Sequence, residues 1–155
     1  MTGVQDRLEK VIEEFADLDG REKLELLLDY ASSLPPLPAE YAAGKAERRV
    51  HECQTPVYLW VKLGPPEGPP SGPRSVELIA EVAEEAPTVK GFVAVLAEAV
   101  RGRPADEVLA IRDDLLDRLG LAEVLGIMRA RGLRSIVEHV KRNVVSAIEK
   151  ADGSR

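Results

Sequence analysis

Val4, Leu8, Val11, Ile12 and Phe15 recur every three or four positions with charged residues between them, which predicts an amphipathic helix over residues 4–16. Asp19 stands three residues before Glu22, the spacing of a capping box. A second helix is expected to start there, with Leu24, Leu27, Leu28 and Ala31 on one face. It ends before LPPLPAEY (34–41), where three prolines remove backbone donors and fix φ.

The helical period then gives way. RRVHECQTPVYLWVKL (48–63) is rich in Val, Tyr, Trp and Leu, and Pro56 interrupts it, so two strands joined near Cys53 and Gln54 are expected. In the second, about 57–63, Val57, Leu59, Val61 and Leu63 share one face and Tyr58 and Trp60 the other. Two apolar faces predict a central strand. GPPEGPPSGP (64–73) reads as a solvated excursion outside any ladder, and RSVELIAEVA (74–83) resumes a strand pattern. Pro87 fits the first turn of a helix whose buried stripe is Val89, Phe92, Val93, Leu96 and Val100, with Gly102 as its C-cap. Short helices are expected from Pro104 and around Asp113–Leu119, the latter closed by Gly120. A last helix runs from about Ala130 to Ala151, lined by Leu133, Ile136, Val137, Val140, Val144 and Ile148. Helices, then strands, then helices predict an α+β fold with a small antiparallel sheet of about three strands, in a single domain over residues 1–155.

Composition narrows the function. A net charge of -6 disfavours nucleic acid as a partner, because phosphate recognition needs a basic surface. No run of about 18 apolar residues predicts a membrane span. Charges in MTGVQDRLEK fall where a signal peptide carries its apolar core, so a cytoplasmic protein is expected. The one cysteine forms no internal disulfide and suits a reducing compartment. One cysteine and two histidines, His51 and His139, do not make a four-ligand zinc site or hold an iron–sulfur cluster alone. No phosphate loop, HExxH or GxSxG is present, so no metal or cofactor of its own is expected.

That leaves Cys53. A lone cysteine is most often a small buried hydrophobe. Cys53, however, lies at a predicted strand junction and on no helical stripe. Arg48, Arg49 and His51 just upstream supply positive charge, which favours a nucleophilic thiolate, while Glu52 opposes it. His51 is two residues away, roughly 6.6 Å along an extended chain, which suits charge tuning better than a Cys–His dyad. His139 falls opposite the apolar stripe and reads as solvated. Arg129 and Arg131 read locally as a charged turn, and the carboxylates of DEVLAIRDDLLD (106–117) as solvent faces without basic partners.

The same residues resemble a known family. LPPLPAE followed by RRVHECQTPVYLWV is similar to the SufE pattern, in which LPPL leads to Val-x-Gly-Cys-Gln-Ser-x-Val-Trp. Val89-Lys90-Gly91-Phe92, Gly102-Arg103-Pro104, Leu119-Gly120-Leu121 and Arg129-Ala130-Arg131-Gly132-Leu133 follow in the family's order, so the resemblance covers roughly residues 4–150. The chain departs from the pattern at Glu52, where the family has Gly, at Pro56, at Glu84-Glu85-Ala86, at Leu125-Gly126-Ile127 and in the 64–73 insert. The resemblance implies an α+β fold similar to the scaffold IscU. It further implies that Cys53 accepts persulfide sulfur from a PLP-dependent cysteine desulfurase (SufS-like or CsdA-like) and hands it to a SufBCD-type assembly complex. PLP belongs to the partner. His51, Gln54 and Arg129 would tune or support the thiol loop, Arg129 by its motif position. Such a carrier is expected to rest its loaded thiol against an apolar surface and extend it to a partner. The competing readings are a non-catalytic adaptor with a structural Cys53, and a stand-alone Cys53–His51 thiol enzyme.

Overall fold

The computed structural model describes residues 3–69 and 72–153. Helix α1 (Val4–Ala16) and helix α2 (Gly20–Ala31) form as their spacing predicts. The Asp19 side chain accepts from the Glu22 N–H at 2.8 Å, and Glu22 accepts from the Asp19 N–H at 3.0 Å, which closes the capping box. Tyr30 Oη donates to Glu14 at 2.6 Å and ties the two helices together. On α2 the expected face holds for Leu27 and Ala31, but Leu28 is 44% exposed. Instead Leu26 and Tyr30 pack against the core, so the buried stripe is rotated.

Residues 48–52 do not form the expected strand. Gly44 (φ 75°) starts a tight 3-10 turn, Lys45–Arg48, and pairing is reduced to one bridge between Arg49 and Tyr58. RRVHEC has no apolar alternation, and Val50 is its one buried position before Cys53. The sheet still has three strands, in the order β1 (Val57–Pro66), β2 (Arg74–Val82) and β3 (Arg103–Pro104), all antiparallel. The third strand is therefore a two-residue piece that the sequence did not announce. β2 is central and β1 lies at an edge, contrary to expectation. The apolar second face of β1 is explained by the proline-rich segment folding over it. Tyr41 packs against Trp60 in a tilted arrangement, centroids 5.5 Å apart and ring planes at 59°, and Lys45 sits 4.8 Å over the Tyr58 ring while pairing with Glu81. The ladder also runs further than predicted, past an irregularity after Leu63 to a Pro66–Arg74 pair, so part of the Gly/Pro insert is strand.

Helix α3 (Pro87–Val100) lies along β2 and against α2, and is buried on nearly every side rather than along one stripe. Gly91 makes this possible: a Cβ there would collide with the Leu27 carbonyl oxygen. Arg7 Nη1 donates to the carbonyls of Glu98, Ala99 and Arg101 and closes the C-terminus of α3. Helices α4 (Ala105–Leu109), α5 (Leu115–Arg118) and α6 (Leu121–Leu125) follow, the last of them unforeseen. The DEVLAIRDDLLD carboxylates are not unpartnered. Glu107 accepts from Arg103 and from the Val4 N–H at 3.0 Å; Asp113, Asp114 and Asp117 face Lys141, Arg112 and Arg134. Helix α7 (Ile127–Gly153) starts three residues earlier than expected and lies along β1. One buried cluster joins these elements, with Phe15, Leu59, Phe92 and Ile136 fully enclosed.

Candidate functional site

Cys53 sits at the tip of a short loop whose base is clamped. The Val50 N–H donates to the Val57 carbonyl at 2.8 Å, and the Ala83 N–H donates to the Pro56 carbonyl at 3.1 Å, so both ends are fixed to the sheet. Inside this clamp the Cys53 N–H donates to the Val50 carbonyl at 3.2 Å, a turn that swings the side chain away from the strand direction. The result is a short tip, 51–56, carried on a rigid hairpin base.

The thiol rests against α7. A Cβ added at Gly132 would lie 3.3 Å from Cys53 Sγ and 3.7 Å from its Cα and Cβ, so the absence of a side chain at Gly132 creates the seat. Glycine inside a helix costs about 1 kcal/mol relative to alanine, and here the close approach explains it. Cys53 is 5% exposed, yet it borders an open cavity of about 520 Å³. Gln54 and Thr55 line that cavity from the loop, Val89 from α3, and Leu125, Gly126, Ile127, Met128 and Arg129 from the α6–α7 junction. Gly126 (φ 89°) turns the chain from α6 into α7, a conformation that a side chain resists, and sets the first turn of α7 at the cavity rim. Ile127 and Met128 there are 79% and 62% exposed, an apolar rim around a thiol.

The four residues singled out from the sequence divide unevenly. Cys53, Gln54 and Arg129 share the cavity; His51 is exposed on the same loop and does not line it. Among the described residues no hydrogen bond joins His51 to Cys53. Arg129 belongs to the first turn of α7, so the charged-turn reading is corrected. His139 is corrected too: it is half-buried, and its Nε2 lies 3.3 Å from Glu52 Oε1. Arg142 Nη2 donates to Glu52 Oε2 at 3.1 Å. Hydrogen bonding, from the loop backbone at Glu52 first and then from Arg142, holds the Glu52 carboxyl below the usual carboxylate range. Burial, and then Arg142, push His139 below its ordinary value. Gly132, Glu52, His139 and Arg142 were missed as site residues. An unexplained mid-helix glycine was the available signal for the first, and a His–Arg pair three apart on one helix for the last two. A separate concavity of about 250 Å³ between the proline-rich segment, β2 and α3 contains no cysteine or histidine. Among the described residues no cluster of His, Cys, Asp or Glu could hold a metal, and no helix is long and apolar enough to cross a membrane.

The fold itself, a three-stranded antiparallel sheet backed by helices, is shared with a solved protein of Thermus thermophilus. That solution structure of a hypothetical protein superposes with a TM-score of 0.73 at 32% identity, covering 92% of this chain and 96% of that one. Residues 9–144 match the family described as SufE: Fe-S metabolism associated domain, and the chain belongs to the SufE family. An uncharacterized SufE-like protein of Mycobacterium tuberculosis (strain H37Rv) is 36% identical over 140 residues, 90% of this chain and 92% of its own length. A further uncharacterized SufE-like protein, from Rhizobium meliloti, is 30% identical over 137 residues, covering 86% and 91%. Family membership implies a sulfur-transfer role in Fe–S metabolism.

Proposed function

We propose that this chain is the sulfur acceptor of a PLP-dependent cysteine desulfurase, with Cys53 as the residue that is loaded. The observation that carries the reading is the position of the chain's one cysteine: on the tip of a clamped loop, at the mouth of an open cavity, with an exposed apolar rim beside it.

The chemistry is an exchange without net oxidation. The Cys53 thiolate attacks the outer sulfur of the donor's persulfide; a new S–S bond forms to Cys53, and the donor S–S bond breaks. The donor cysteine leaves as a thiolate, the Cys53 proton having gone to solvent. The persulfide then sits on Cys53, and with no second cysteine in the chain it is not resolved into an internal disulfide. Gln54 and Arg129 flank the loaded sulfur, while His51 contributes charge from the outer side of the loop. The single domain works in the cytoplasm and relays the sulfur to a SufBCD-type complex.

Stimulation of a SufS-like desulfurase by wild-type protein and by Cys53→Ser tests this. Stimulation is expected from the wild type and its loss in the variant; equal stimulation refutes the acceptor role. The 5% exposure of Cys53 favours a second reading, an adaptor whose cysteine only fills space. Alkylation of the native protein in the presence of the desulfurase separates the two, because the adaptor's thiol stays inert.

A further inference from the structure

We propose that Glu52 is a positioning residue that latches the thiol loop shut, through its bridge to Arg142 and His139 on α7, and that opening this bridge releases Cys53 to its partner. The inference rests on the sulfur-acceptor reading and specifies how the same site is gated.

The loop base cannot open without breaking sheet hydrogen bonds, since Val50 is tied to Val57 and Pro56 to Ala83. Movement is therefore confined to the tip. The tip touches α7 through Cys53 packed on Gly132 and through the Glu52 carboxylate. Gly132, His139 and Arg142 lie on one stripe of α7, since steps of seven and three residues return to the same helical face. Adjacent loop residues therefore engage two points on that stripe, about 10 Å apart along the axis. Sγ fills the glycine seat at one, and the carboxylate is held at the other, 3.1 Å from Arg142 and 3.3 Å from His139. Both carboxylate oxygens are used, which fixes the orientation of the Glu52 side chain and with it the neighbouring cysteine.

The latch is also built to give way. The Glu52 side chain is 45% exposed and that of Arg142 is 60% exposed, so water competes for the bridge and salt screens it. A buried pair would lock the thiol, whereas a half-exposed one holds it shut most of the time and yields to a competing partner. A cation on a docking protein that draws Glu52 away from Arg142 would free Cys53 in the same motion.

Alkylation of the native protein by iodoacetamide measures the opening without any desulfurase. Because Cys53 is nearly enclosed, its rate follows the open population. Glu52→Ala and Arg142→Ala should each raise the rate about two- to fivefold at low ionic strength, the range expected for losing one partly exposed bridge. Combining them should add little more, because both break the same contact. Salt at about 1 M should bring the wild type up toward the variants and leave the variants unchanged. Glu52→Gln keeps the shape and loses the charge, and it should also alkylate faster with its melting temperature unaltered. Wild-type rates in Glu52→Ala and Glu52→Gln, or multiplying effects in the double variant, overturn the latch. Failure of the desulfurase to load wild-type Cys53 would instead refute the sulfur-acceptor reading, and the alkylation rates would still report on the latch.

Discussion

Replacing Gly132 by alanine probes the seat of the thiol directly. Alanine in the middle of α7 gains about 1 kcal/mol of helix propensity over glycine. Against this, the new methyl would lie 3.3 Å from Cys53 Sγ, a few tenths of an ångström inside a comfortable contact. The group that must yield is the tip of a loop, not a packed helix, and it can retreat into the open cavity beside it. Global stability of Gly132→Ala should thus stay within about 1 kcal/mol of wild type, because gain and crowding offset each other. The thiol loses its fitted seat and should react with iodoacetamide several times faster. Gly132→Leu fills the seat outright: the loop is displaced, stability falls by about 1–3 kcal/mol, and Cys53 reacts faster still. Urea denaturation and alkylation kinetics on the same preparations check both numbers. Unchanged thiol reactivity in both variants, with a stability loss in Gly132→Ala beyond about 4 kcal/mol, would show a cysteine fixed in the core and rule out a yielding loop.

Three further outcomes follow from the geometry. Gly91→Ala should destabilise by about 2–3 kcal/mol in urea, because its Cβ meets the rigid Leu27 carbonyl and α2 and α3 must separate; a neutral substitution would show that the two helices are loosely packed. Glu107→Ala removes the acceptor of the Val4 N–H and the partner of Arg103, and should cost about 1–2 kcal/mol, read as a lowered urea midpoint. Acid should destabilise the protein in two ranges. Burial holds His139 below 6.5, and hydrogen bonds from Arg103 and Val4 hold Glu107 below 4.5, so the unfolded chain binds more protons in each window. Stability therefore falls as pH drops below about 6.5 and again below about 4.5; a urea midpoint that rises on acidification would contradict the sign.

Much of the fold was legible because periodicity reports burial on one face of a helix. The capping box at Asp19 and Glu22, the helix opened by Pro87 and the long last helix were all readable this way. Edges and order within the sheet were not. Tyr58 and Trp60 made β1 look central, since an apolar strand face does not say whether a helix or a folded-back proline segment covers it. β3 was invisible, as two residues carry no alternation. Of the site, Cys53, Gln54 and Arg129 were read from the order of motifs, and the cavity brings them together. The glycine seat and the Glu52 bridge depend on which turn of α7 meets the loop, a tertiary fact that a mid-helix glycine and a His–Arg pair hint at but do not specify. His139 looked solvated for the same reason: it lies off the apolar stripe but under the loop.

The acceptor role requires that Cys53 itself receive sulfur. The decisive experiment incubates the protein with a PLP-dependent cysteine desulfurase and cysteine, then weighs the intact chain and its proteolytic peptides. One added sulfur atom is expected, carried by the peptide that contains Cys53 and removed by reductant. An unchanged mass under conditions where the desulfurase turns over, or sulfur on any other peptide, would contradict it.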